Sequence, residues 1–135
     1  MRQSFSIETF THNGLYDITD HVKTVLKNSG VENGLLNVYV QGATAGIMIQ
    51  ENWDDSVQHD VVALLNRLIP AGVWEHDAQD NNGDSHLKAG ITGPSETIPV
   101  IGSKLGLSTW QNIFLCEFDG PRKRRTIIVT ILEDR

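Results

Sequence analysis

One stretch of this chain carries a long helical periodicity, in Val57, Val61, Val62, Leu64, Leu65 and Leu68, while the other apolar residues fall in short β-type runs. Parallel strands need a crossover of a dozen or more residues, usually a helix, so a chain this poor in helices cannot build repeated βαβ units. The class that remains is α+β, with antiparallel β-sheets packed with one main helix and a shorter one. At 135 residues the chain is read as a single compact domain over residues 1–135.

Residues 4–10 alternate around Phe5 and Ile7 as an amphipathic strand, which Thr11-His12-Asn13-Gly14 breaks. A short helix follows over residues 21–28, with Val22, Val25 and Leu26 at helical spacing, a capping candidate in Ile18-Thr19-Asp20 and a stop at Ser29-Gly30. Residues 34–40 and 43–50 read as one long strand bent at Gln41-Gly42, or as two strands in sequence. In either case the glycine marks a close approach of the backbone. Asp54-Asp55-Ser56 offers caps for the main helix, which ends at Pro70-Ala71-Gly72. Beyond a polar loop at residues 74–88, residues 87–91 resume a strand, and strands at 97–101, 110–118 and 126–132 complete the set. The last two form a hairpin around Asp119-Gly120-Pro121.

A net charge of −6 argues against nonspecific binding to nucleic acid. The one basic cluster, Arg122 to Arg125, reads as a solvated hairpin loop or as a local phosphate contact through arginine forks. No apolar run approaches the roughly twenty residues of a membrane span, and no signal-peptide pattern opens the chain, so a cytoplasmic protein with no membrane partner is expected. Cys116 is the single cysteine, which excludes an internal disulfide; inside an apolar strand it reads as a small buried hydrophobe. Its neighbour Glu117 points to the opposite strand face, so one of the two is expected to lie away from the core.

The polar loop reads W-E-H-D-A-Q-D-N-N-G-D-S-H-L-K and has neither helical nor strand periodicity. Solvation needs only Asp, Asn and Gly, whereas imidazoles add metal ligation and proton transfer near neutral pH. His76 and His86, with Asp77, Asp80 and Asp84 between or beside them, carry the donor atoms that suit a divalent ion such as Zn²⁺ or Mg²⁺. Asp80-Asn81-Asn82-Gly83-Asp84 also opens like a calcium loop, but the twelfth position is Ile91 rather than a bidentate glutamate, which sets an EF-hand aside. If a strand begins at His86, Lys88 shares its face and the two side chains can hold an anion. Gly93-Pro94-Ser95-Glu96-Thr97 is a turn or a phosphate contact, and Glu51 is a candidate base, a ligand or merely the residue before a helix.

Taken in order, Gln41-Gly42-Ala43-Thr44-Ala45-Gly46 with Gln50-Glu51-Asn52, Asp84-Ser85-His86-Leu87-Lys88-Ala89, Gly93-Pro94-Ser95-Glu96-Thr97-Ile98-Pro99, Leu105-Gly106-Leu107-Ser108-Thr109-Trp110-Gln111-Asn112-Ile113 and Cys116-Glu117 resemble the YjbQ-like family, also called the secondary thiamine-phosphate synthase family. The resemblance covers nearly the whole chain. It implies an α+β fold assembled as a homotrimer, and a weak activity that joins a pyrimidine diphosphate to a thiazole phosphate with loss of pyrophosphate. Carried over, His76 and His86 match family histidines of the presumed site, and Gln41, Glu51, Lys88, Trp110, Gln111, Cys116 and Glu117 fall on other motif positions. Many members resemble Gln-His-Thr-Ser/Thr-Ala where this chain has Gln41-Gly42-Ala43-Thr44-Ala45, so one family histidine is Gly42 here.

Two functions follow as expectations. In the first, a transferase acts on phosphorylated heterocycles. Its catalytic candidates are His76, His86, Glu51 and Glu117, and its substrate contacts are Gln41, Lys88, Trp110, Gln111 and Arg122. A divalent metal at His76, His86, Asp80 and Asp84 would assist it. In the second, a noncatalytic trimer binds a metal or an anionic metabolite, a role that tolerates the loss of one histidine.

Overall fold

The computed structural model describes residues 1–135. Alternating patterns produce eight strands: β1 (Arg2–Thr9), β2 (Gly14–Asp17), β3 (Gly34–Val40), β4 (Ala45–Gln50), β5 (Ser95–Ile101), β6 (Lys104–Leu105), β7 (Asn112–Glu117) and β8 (Arg122–Glu133). The helices are α1 (Thr19–Ser29), α2 (Ser56–Leu68), α3 (Asp77–Asp80) and α4 (Gly83–Thr92). One sheet runs β1-β8-β3-β5-β6 and the other β2-β7-β4, and every pairing is antiparallel. This is the α+β architecture that the scarcity of helices requires. No helix is long and apolar enough to cross a membrane.

The core lies between the sheets and is closed by α1. Val22, Val25 and Leu26 of that helix pack with Leu36 and Val38 of β3, Ile127 and Val129 of β8, and Ile113 and Leu115 of β7. Each such side chain stabilises the fold by roughly 1.5–3 kcal/mol when fully buried. A second, smaller cluster on the outer face of the three-stranded sheet joins Cys116 and Phe118 to Leu65 of α2 and Ala89 of α4. Strand β7 is therefore buried on both faces, with residues 113, 115 and 117 turned to the main core and 114, 116 and 118 to the helices. Cys116 and Glu117 are both fully buried, contrary to the expectation that one of them faces away, because that expectation assumed a sheet covered on one side.

Other elements also depart from the sequence reading. Of the two readings of residues 34–50, two strands in sequence holds, with the break at Gln41-Gly42 and the strands in different sheets. The loop expected at 74–88 contains α3 and most of α4, and residues 87–91 are helix rather than strand. The short strands β2 and β6 carry too few residues for a periodic signal. Strand β8 begins at Arg122, so the basic cluster is strand and not hairpin loop. At the start of α1 the carboxylate of Asp17 accepts from the Thr19 N–H at 2.8 Å, ahead of the capping candidates. Asp54 does the same for Ser56 at α2.

Candidate functional site

The segment from Trp74 to Thr92 is folded around one carboxylate. Asp77 Oδ2 accepts from the Trp74 N–H at 3.1 Å and Oδ1 from the Gly83 N–H at 2.8 Å, and these two bonds hold the Asp77 carboxyl below the usual carboxylate range. Gly83 is required at this closure, because a Cβ there would stand 2.7 Å from the Cβ of Trp74. Two further bonds dock the start of α4 on the end of β7: Ser85 Oγ donates to the Phe118 carbonyl at 2.6 Å, and Asn82 Nδ2 to Asp119 Oδ2 at 2.9 Å.

Helix α4 turns Asp84, Ser85, Lys88 and Ala89 inward, which leaves His86 half-exposed on the other side. There the ring of His86 meets that of His76 edge-on, with centroids 4.7 Å apart and an interplanar angle of 85°. Asp80 stands beside them, its Oδ2 3.6 Å from His76 Nε2. The two imidazoles are thus the only ones of the chain in mutual ring contact, and they sit on a hydrogen-bonded scaffold.

Two ion pairs lie beneath the surface. Lys88 is 1% exposed, and its ammonium donates to Asp84 Oδ2 at 2.9 Å and to Asn66 Oδ1 of α2 at 2.6 Å. Lys88 therefore shares no face with His86, and Asp84 is turned away from the histidines; both follow from the helix that replaces the expected strand. The second pair joins β7 to β8, which lie in different sheets and so do not form the expected hairpin around Asp119-Gly120-Pro121. Arg125 Nε donates to Glu117 Oε1 at 2.9 Å, its Nη2 bonds the other carboxylate oxygen, and Thr9 Oγ1 donates to Oε1 at 2.7 Å. Burial pushes the Glu117 carboxyl up, but the bonds from Arg125, Thr9 and the Asp119 N–H outweigh it and hold it below the ordinary value. Arg125 Nη2 also donates to Thr44 Oγ1 at 2.8 Å.

The sequence profile described as "UPF0047 protein YjbQ-like" matches residues 3–134. The chain belongs to the UPF0047 family. A UPF0047 protein of Methanothermobacter thermautotrophicus is 43% identical over 124 residues, covering 91% of this chain and 86% of that one. Another, from Methanocaldococcus jannaschii, is 41% identical and covers 97% and 94% of the two chains. Among solved structures, a YbjQ-like protein of unknown function from Sulfolobus solfataricus P2 superposes with a TM-score of 0.96 at 35% identity, covering 99% of this chain and 97% of that chain.

Within this UPF0047 chain the position expected to carry a family histidine has its own geometry. A Cβ on Gly42 would lie 2.7 Å from Arg125 Nη1, and that guanidinium is fixed by four hydrogen bonds to Glu117 and Thr44. The close approach marked by the glycine is thus to an arginine side chain. A histidine at 42 requires Arg125 to move.

The remaining candidates are dispersed. Glu51 is half-buried, and its carbonyl accepts from Gln58 Nε2. Gln41 is exposed beyond the end of β3. Trp110 is exposed and meets Trp53 edge-on at 5.2 Å, while Gln111 Oε1 accepts from the Ser108 N–H at 2.9 Å. Arg122 pairs with Asp119 at 3.0 Å. Cys116 is sealed, and burial pushes its thiol up to about 12, which suits the small-hydrophobe reading. No group of three His, Cys, Asp or Glu side chains is arranged to hold a metal ion. A catalytic zinc site takes three protein ligands, so the donors of one chain fall short of that set.

Thr9 and Asn66 were not singled out from sequence, Asp77 stood there only as an oxygen donor beside the histidines, and Arg125 only as part of the basic cluster. For Arg125 a signal was present: it lies two residues before Ile127, then Val129 and Ile131, on the inward register of β8.

Proposed function

We propose that this UPF0047 protein binds a small phosphorylated metabolite at the His76/His86 pair and acts as a transferase of the thiamine-phosphate synthase type. The observation that supports it is the contact between these two half-exposed rings on a scaffold held by Asp77, Ser85 and Asn82. In such a transfer the carbon bearing the diphosphate forms a bond to the thiazole nitrogen while its bond to oxygen breaks, and pyrophosphate leaves. The nitrogen becomes quaternary and releases no proton, so the protein's task is to orient the partners and to hold the departing charge. Imidazoles suit this by donating hydrogen bonds or a proton to phosphate oxygens.

Assembly as a homotrimer belongs to the same reading, because one chain supplies two imidazoles and a cleft between copies would add further groups. A divalent metal on the two histidines would take its other ligands from a second copy. Purified protein is assayed for thiamine phosphate formation beside His76→Ala and His86→Ala, with oligomeric state read by sedimentation. At least a hundredfold loss in both variants is the expected result, the scale of a lost acid or charge-stabilising group. Equal rates in all three proteins would remove the reading.

A second reading, noncatalytic binding of an anionic metabolite or metal, draws on Gly42. The site there is filled by Arg125, and binding tolerates an incomplete catalytic set. Stabilisation of the wild type against heat by inorganic pyrophosphate, without turnover, would favour it.

A further inference from the structure

A cavity of about 720 Å³ opens between α1 and the β5–β6 hairpin, and neither His76 nor His86 lines it. Its rim carries three ammonium groups, Lys23 and Lys27 from α1 and Lys104 from the hairpin. No Asp or Glu is among its lining residues, although the chain has 17 acids against 11 Lys and Arg. None of the three lysines forms a salt bridge. Lys23 and Lys27 are four residues apart on one helix, a spacing at which like charges are neighbours and destabilise the helix. A third positive charge lines the cavity from the hairpin, and no carboxylate forms an ion pair with any of the three.

The rim is held in place. Gly102 and Ser103 have φ of 57° and 64°, the left-handed pair of a two-residue hairpin turn. The Ser103 N–H donates to the Glu32 carbonyl at 2.7 Å and the Gly102 N–H to Asn33 Oδ1 at 3.1 Å, which ties the hairpin to the approach of β3. The ammonium of Lys104 therefore projects from a braced turn. Between the charges Leu26, Val31, Leu105 and Leu107 form an apolar patch, flanked by hydroxyls and amides such as those of Thr19, Ser108, Gln111 and Asn112. Three cations around an apolar patch match a multiply charged anion carried on an apolar body.

We propose that this cavity is a binding site for an organic phosphate, with the phosphate held by Lys23, Lys27 and Lys104 and the organic body against Leu105 and Leu107. The site is separate from the histidine pair and does not depend on the function proposed for it. Phenyl phosphate and inorganic phosphate serve as probes, titrated into the ¹⁵N-labelled full chain. Phenyl phosphate is expected to shift the amides of α1 and of residues 102–109. Each single Lys→Gln variant should weaken it about fivefold, and the triple variant should abolish binding, as expected when charge-assisted hydrogen bonds are removed one by one. Leu107→Asn should weaken phenyl phosphate and leave inorganic phosphate unchanged, which separates the apolar patch from the charges. Lys123→Gln, at an exposed lysine of β8 outside the cavity, should bind as the wild type does. Undiminished binding by the folded triple variant, shifts confined to residues around His76 and His86, or no binding at millimolar probe would each overturn the proposal.

Discussion

The Glu117/Arg125 pair and the His76/His86 pair place titratable groups side by side in opposite physical settings. Glu117 is fully buried, and Arg125, Thr9 and the Asp119 N–H supply its carboxylate with hydrogen bonds. The histidines are at the surface, touch only edge to edge, and keep ring nitrogens free of hydrogen-bonded protein partners apart from the looser approach of Asp80. A satisfied buried pair fixes a fold, because either partner alone would be left charged in a low dielectric. An under-satisfied exposed pair is where a ligand can still gain hydrogen bonds. The same distinction moves Lys88 and Asp84 from the expected site to the scaffold.

This contrast breaks most readily at Glu117. Glu117→Ala should cost about 3–5 kcal/mol by leaving the Arg125 guanidinium buried and unpaired, measured by urea unfolding. If it costs less than about 1 kcal/mol, the pair is not the structural lock described here. Acid sharpens the point. Because the folded carboxyl lies below its ordinary value near 4.5, its stabilisation is full above that pH and is lost as pH falls through the folded value. The wild type should therefore lose stability more steeply than Glu117→Ala on acidification below that range.

A smaller, local effect is expected at Asp77. Asp77→Ala removes both acceptors from the Trp74 and Gly83 N–H groups, so these amides should exchange with solvent faster while those of β7 and β8 do not. Unchanged exchange at Trp74 and Gly83 would mean that the segment is held by other contacts. Least disturbed should be the fold of His76→Ala and His86→Ala, within about 0.5 kcal/mol of wild type, as for exposed side chains outside any buried network. A loss comparable with that of Glu117→Ala would turn the histidines into scaffold and erase the contrast.

Most strands and the two longer helices were legible in sequence because their buried faces are apolar, so position and period coincide. Helix α4 was not, since the residues it buries are Gly83, Asp84, Ser85, Lys88 and Ala89: the spacing is helical but three of the five are polar and none is a large apolar side chain. A reading tuned to apolar periodicity passes over such a helix. The location of the histidine pair was visible from residue types, because two imidazoles exceed what a solvated loop needs. Their contact was not, since it depends on the break at Asn81-Asn82 between α3 and α4, which brings residues ten apart in the chain to one surface. The Glu117 and Arg125 pair was hidden by a habit of assigning charge runs to solvent, although the register of β8 places Arg125 inward.

Strand β7 has one more implication. Its alternate residues belong to two different layers, the main core on one side and the α2/α4 face on the other. The helix layer that carries His86 therefore has no hydrophobic support of its own that survives loss of the central strand. In native-state hydrogen exchange the β7 amides should open only with the whole molecule, and the histidine platform should melt together with the core rather than ahead of it.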